Sequence, residues 1–275
     1  MQRRMRPGGE GLTLAALFVI TLVLFVFPVA LLARAGLTLD GVLTLAPILN
    51  VLDSRSVPRA LLNSLDSAFF SALVALALGT TIALVIGLTD VRGKGVFTFL
   101  LLIPMMVPPH VTAIAWIQAM GPSSPLLQAL GMAPEPGTTH PLYSREGVIL
   151  LLSIQHMPLV FLVVLAALRS LPREMMDAAR VAGARPLACL RRIVLPLLAP
   201  ILITAFALAF VSALGNFGIP ALLGIPARYT TLPVLMWQRL ASFGPDVLSA
   251  VAAIAALLAA IAIAIILVQM ALLAR

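Results

Sequence analysis

Arg169 to Pro196 reads RSLPREMMDAARVAGARPLACLRRIVLP, the one polar, charge-dense segment in the middle of a very hydrophobic chain. Ser170 followed by Pro172 marks a helix start: a hydroxyl can accept from a free first-turn N–H, and proline loses no intrahelical bond there. Met175, Ala178, Ala179 and Ala182 fall at i, i+3, i+4 and i+7, which makes one apolar face of small side chains. Gly183 suits the left-handed residue that ends a helix. A second short helix is predicted to start at Pro186, carry Arg191 and Arg192 near its end, and stop at Pro196, where the next apolar run begins. The segment therefore reads as a short helix-turn-helix outside the lipid, flanked by two runs that belong inside it.

Composition supports that division. Of 275 residues, 61% are hydrophobic and 10% charged, and the mean hydropathy is +1.12. A soluble domain of this length cannot bury so much apolar side chain, so lipid is the natural solvent. The net charge of +8 does not indicate nucleic acid, because no aromatic-basic surface segment is present to read bases. The single cysteine, Cys189, excludes an internal disulfide and any multi-cysteine metal site, and reads as a small apolar packing residue.

Working outward, six spans are predicted at about 12–32, 62–88, 96–120, 147–168, 197–214 and 247–273. The first run is too long for a typical signal-peptide core and reads as a retained helix. Residues 33–61 read as an external loop with some short helix. Gly79 and Gly87 in the second span let neighbouring helices approach closely. Pro104, Pro108 and Pro109 interrupt the third and free backbone carbonyls, which is tolerated only beside protein or a cavity. Residues 121–146 read as an ordered loop, and 215–245, apolar but broken by glycine and proline, as partial re-entry or packing against the outer mouth. Trp116 and Trp237 suit an outer aromatic belt. With both termini in the cytoplasm, Arg3, Arg4, Arg6, Arg92, Lys94, the six arginines of 169–192 and Arg275 lie inside. These are twelve of the eighteen basic residues, the bias that orients membrane proteins.

The central segment also carries a resemblance. Asp177-Ala178-Ala179, three residues, Gly183, nine residues, then Ile193-Val194-Leu195-Pro196 resembles the EAA loop of the membrane subunits of binding-protein-dependent ABC importers. Asp177 stands where that family usually has glutamate, and Glu174, one turn earlier, is a possible substitute. The resemblance implies an all-α integral membrane protein with the MetI-like fold of type I importer permeases, a single permease domain over 1–275 in a bacterial inner membrane. It implies that Glu174, Asp177, Ala178, Ala179, Gly183, Ile193, Leu195 and Pro196 couple to a cytoplasmic ABC ATPase dimer. A second permease subunit or half and a periplasmic or lipid-anchored solute-binding protein complete the implied assembly. Residues 215–224, GNFGIPALLG, with Tyr229-Thr230-Thr231, look similar to permeases of the ferric iron, thiamine, polyamine and aminoethylphosphonate branch. Within it, ferric iron is the expected solute, and the chain is either a split subunit or part of a fused permease.

No catalytic constellation is present: there is no GxxxxGK[ST], HExxH or CxxC. No cofactor or metal site is expected, and ATP would be bound by the partner. Polar groups at membrane depth are costly, which marks His110, Gln155, His156 and Asn216 as candidates either for interhelical bonds or for lining a transport path. Asp66 reads as simply reaching the interface. A secondary transporter, the rival class, would want ion-coupling carboxylates in the spans, which offer almost none.

Overall fold

The computed structural model describes residues 7–274 except 40, 41, 45, 136, 139, 173, 176–178, 180, 182 and 243–246. It has two compact units, one drawn from Met1–Val57 and Met236–Ala259, the other from Pro58–Leu235 and Ala260–Arg275, and each is described by itself. In lipid the backbone has no water to bond, so long apolar runs close their own hydrogen bonds as helices. Among the described residues, Gly11–Leu31, Ser56–Leu88, Arg145–Ser170, Pro186–Leu214 and Val247–Leu273 are long and apolar enough to cross a membrane. The bent pair Lys94–Met106 and Pro109–Ala129 makes a sixth crossing if counted as one broken span.

In the first unit, α1 (Pro7–Thr21), a π-helical turn (Leu22–Val26) and α2 (Phe27–Leu37) form one helical run. Pro28 has no N–H to offer the Leu24 carbonyl; the π turn, in which the Phe27 N–H reaches the Leu22 carbonyl, shifts the ladder just before it. A small antiparallel hairpin follows, β1 (Thr38–Leu39) against β2 (Val42–Leu43), with Thr38 opposite Leu43. Then come α3 (Ala46–Asp53) and the start of α4 (Ser56–Leu88). The loop predicted over 33–61 thus needs correcting: it holds a hairpin, and the next helix begins six residues before Leu62. Two-residue strands are too short to show an alternating pattern. A Cβ on Gly36 would lie 2.9 Å from the Ala252 Cβ, so the two helices meet where glycine leaves room.

In the second unit, α8 (Arg145–Ser170) is the most enclosed helix, with Leu151, Leu152, Val160, Phe161 and Val164 fully buried. Ser144 caps it by accepting from the Gly147 N–H at 3.0 Å. It packs on α4 at Gly79, where a Cβ would come within 2.9 Å of the Met157 carbonyl oxygen. Leu151 and Leu152 share a cluster with Ala113, Leu142, Ile219 and Leu223. Trp116 packs half-buried against this cluster, while Trp237 is half exposed. α5 (Lys94–Met106) follows the left-handed Gly93, keeps Pro104 inside it, and ends at the extended Val107; α6 (Pro109–Met120) departs at 105° to it. A short α7 (Pro125–Ala129) lies in the following loop.

The helix predicted to stop at Pro196 does not stop. α9 (Pro186–Cys189), a π turn (Leu190–Val194) and α10 (Leu195–Leu214) run on, with the Leu195 N–H bonded to the Leu190 carbonyl. The π turn again precedes a proline and spares it an intrahelical bond. A third π turn (Pro220–Gly224), α11 (Leu232–Leu240) and α12 (Val247–Leu273) complete the order.

Candidate functional site

The broken helix creates a polar cavity. Pro108 and Pro109 have no N–H, so the carbonyls of Pro104 and Met105 lose the donors that a continuous helix would place four residues on. Gln155 of α8 answers this: its Nε2 donates to Pro104 O at 2.8 Å and to Val107 O at 3.3 Å. Only an amide nitrogen can face two carbonyls, so the oxygen is on the other side, where Oε1 is buried without a partner among the described residues. His156 is 5% exposed, and its Nδ1 lies 2.7 Å from the Leu152 carbonyl. Nδ1 therefore carries the proton, and Nε2 is left with its lone pair. Asn216 Oδ1 accepts from the Ile219 N–H at 3.3 Å, which leaves its amino group to donate elsewhere.

Gln155, His156 and Asn216, with Met105, Met106 and Ser212, line a cavity of about 370 Å³ that has no charged side chain in its lining among the described residues. Three of the four polar candidates from the sequence are thus brought together. His110 is exposed and stands outside the lining; its backbone N–H packs against Gly218, where a Cβ would come within 2.7 Å of the nitrogen.

A second polar cluster was missed in the sequence. Arg145 donates from Nε to Asp66 Oδ2 at 2.6 Å and from Nη2 to Oδ1 at 2.7 Å, a two-pronged ion pair between α8 and α4. The guanidinium carbon also lies 5.0 Å from the Phe70 ring centre. The Tyr229 hydroxyl is 2.7 Å from Asp66 Oδ2 and 2.8 Å from the Asn63 carbonyl. Asn63 Nδ2 donates to Thr230 O at 2.9 Å, and the Leu232 N–H donates to Ser64 Oγ at 2.7 Å. Burial first, and acceptance by Asp66 second, push the Tyr229 phenol up. The available signal was one acid inside an apolar run and one arginine opening another, at helix ends that could meet.

In the central segment, Gly183 has φ +82°, and the Ala184 N–H closes onto the Ala179 carbonyl at 2.9 Å, the bond pattern of a helix ended by a left-handed residue. A Cβ at Gly183 would meet nothing within 4 Å among the described residues. Glu174 is exposed, and so are Met175, Val181 and Leu187, with Val181 at 90%. Ile193 and Leu195 are half-buried, Pro196 exposed, and Cys189 buried. Asp177, Ala178 and Ala182 lie outside the described residues.

Long apolar helices, one of them broken beside a polar cavity, define a multi-pass membrane transport subunit. The chain belongs to the binding-protein-dependent transport system inner membrane component family, matched over residues 79–275, and is an ABC importer permease subunit. It is 30% identical over 190 residues to a probable molybdenum ABC transporter permease of Haloferax volcanii, covering 69% of this chain and 67% of that one. It is 30% identical over 224 residues to a putative 2-aminoethylphosphonate transport system permease of Salmonella typhi, covering 78% and 75%. The fold matches a chain of a bacterial ABC transporter for the import of alginate, with TM-score 0.80, 19% identity and coverage of 97% and 95%. It also matches a methionine ABC transporter in inward-facing form, with TM-score 0.62, 16% identity and coverage of 79% and 94%.

Proposed function

We propose that this subunit forms one wall of a solute path and couples it, through residues 174–196, to a separate cytoplasmic ATPase. The observation that carries the coupling role is the helix end at Gly183, with bare apolar side chains around it. Val181, Met175 and Leu187 are exposed next to a glycine-ended turn, as a segment that docks into a partner's groove requires. The chain has no phosphate-cradling motif of its own, so ATP binding falls to the partner. In this reading two such walls face each other, a second permease supplies the other, and a solute-binding protein delivers at the outer face. Closure of the ATPase pair would then move the docked segments together and switch the path by rigid-body motion.

The solute is proposed to be small and polar. Ferric iron is the reading that the cavity supports least: thioethers, an imidazole and amides are a poor set for a hard trivalent cation, which favours carboxylate and phenolate oxygen. The relative named for 2-aminoethylphosphonate belongs to the same branch that residues 215–231 suggest, and it supports an organic solute.

The test is uptake in cells carrying Gly183→Val or Asp177→Lys, with insertion checked by membrane fractionation and the ATPase checked by co-purification. Both variants should insert normally, lose the ATPase and abolish uptake. Normal uptake in both, with the ATPase still bound, sinks the coupling role.

A further inference from the structure

The cavity has a direction. Its acceptors and donors are fixed by backbone groups, not by each other. Gln155 must keep its nitrogen on the Pro104 and Val107 carbonyls, and His156 its proton on the Leu152 carbonyl, so both present lone pairs. These two neighbours on α8 are 8% and 5% exposed; Gln155 Oε1 is buried without a partner among the described residues, and Nε2 is the imidazole nitrogen that the Leu152 carbonyl does not engage. An unpaired acceptor at that depth is costly, and a ligand donor is what would satisfy it. Asn216 faces the other way chemically. Its oxygen is held by the Ile219 N–H, so only N–H groups remain to give.

The helix break adds the same polarity. The C-terminal end of α5 carries partial negative charge and the N-terminal end of the 12-residue α6 partial positive charge, and both border the cavity through Met105, Met106, Pro108 and Pro109. The α6 contribution is its dipole, because the Val111 and Thr112 N–H groups are already bonded to Pro108 O. At about 370 Å³ the space is at the small end of ligand pockets, which run from roughly 300 Å³ upward.

We propose that this cavity binds a small zwitterion, its ammonium group on Gln155 Oε1 and His156 Nε2 and its oxyanion on Asn216 Nδ2. The assignment rests on the permease reading above and names its solute class. A free oxyanion would face the lone pairs of Gln155 and His156; a simple amine would leave the Asn216 amide unanswered. A solute with both charges on a short linker satisfies each end. With no formal charge in the lining among the described residues, binding stays weak enough for release, as transit requires.

The experiment is isothermal titration of the purified permease in nanodiscs, without the solute-binding protein, so that its selectivity is not what is read. The probes are 2-aminoethylphosphonate, methylphosphonate and ethylamine. The zwitterion should bind at least tenfold more tightly than either half. Asn216→Asp should weaken it tenfold or more while ethylamine gains, a reversal that a merely structural role does not produce. His156→Phe should lose both amine-bearing probes and leave methylphosphonate unchanged. Equal affinity for one of the halves, or an unchanged order of probes in Asn216→Asp, overturns the assignment. If no probe binds, the cavity assignment fails, while co-purified ATPase would keep the importer reading. If no ATPase co-purifies, the importer reading fails and the titration still decides the cavity.

Discussion

The two polar clusters on α8 sit in the same apolar surroundings and are built to opposite ends. At Arg145 the charged groups have found their match: both carboxylate oxygens of Asp66 are used, and Tyr229 closes on one of them, with only the neutral Thr231 hydroxyl nearby in the chain left buried without a partner among the described residues. Ten residues further on, Gln155 and His156 each spend one nitrogen on the backbone, and Gln155 Oε1 is left buried and unmatched among the described residues. Complete pairing holds parts together; incomplete pairing leaves something for a ligand to do. Asp66, which from the sequence reads as simply reaching the interface, is by this criterion a fastener between α4, α8 and residues 229–232.

The largest effect on stability comes from the paired cluster. Asp66→Ala strands Arg145 and frees Tyr229. Breaking a buried ion pair costs about 3–5 kcal/mol, and exposed pairs contribute under about 1. Asp66 and Arg145 keep side-chain exposures of 29% and 40%, so roughly 2 kcal/mol is the expected loss, read as a lower melting temperature of the solubilised protein. The exchange Asp66→Arg with Arg145→Asp should recover part of it. A melting temperature unchanged in Asp66→Ala removes the fastener role.

The cavity should behave in reverse. Gln155→Leu uncovers two carbonyls but also removes an unpaired oxygen, so the net cost is roughly 1 kcal/mol, while uptake falls tenfold or more. His156→Phe loses one hydrogen bond and should cost about as little, again with a large loss of uptake. Variants here that lower the melting temperature by as much as Asp66→Ala, with uptake intact, would erase the distinction between the clusters.

How far the sequence reached follows the same division between local and long-range chemistry. The apolar runs declare their helices because lipid leaves the backbone no other choice; Val247 and Leu273 stand at the ends of the last helix as the pattern predicts. The left-handed Gly183 and the proline break at 107–109 are local too, and both were legible. What was not legible depends on residues far apart. Asp66 meets Arg145 across 79 positions and Tyr229 across 163, and no spacing rule connects them. The π turns were hidden for another reason: Pro196 reads as a stop, yet a one-residue shift of the ladder before it lets the helix continue. For the cavity, rarity in lipid picked out Gln155, His156 and Asn216, but only the backbone bonds separate them from exposed His110.

The smallest effect gives the finest check on the paired cluster, and it is a pH effect. Tyr229→Phe removes the hydroxyl that touches Asp66 and the Asn63 carbonyl, about 1 kcal/mol at neutral pH. The wild-type phenol is pushed up, by burial first and by Asp66 second. Unfolded, a tyrosine ionises near pH 10, at about its ordinary value, whereas the folded chain holds the proton beyond that. The contribution of the hydroxyl is therefore intact below about pH 10 and declines as pH rises above it, since only the unfolded state then gains by releasing the proton. The phenylalanine variant has no such group. Melting both proteins from neutral pH to about pH 11 should show a constant gap that narrows only at the alkaline end. A gap that stays constant throughout would mean that Tyr229 titrates alike in both states, and so that its hydroxyl is not enclosed against Asp66.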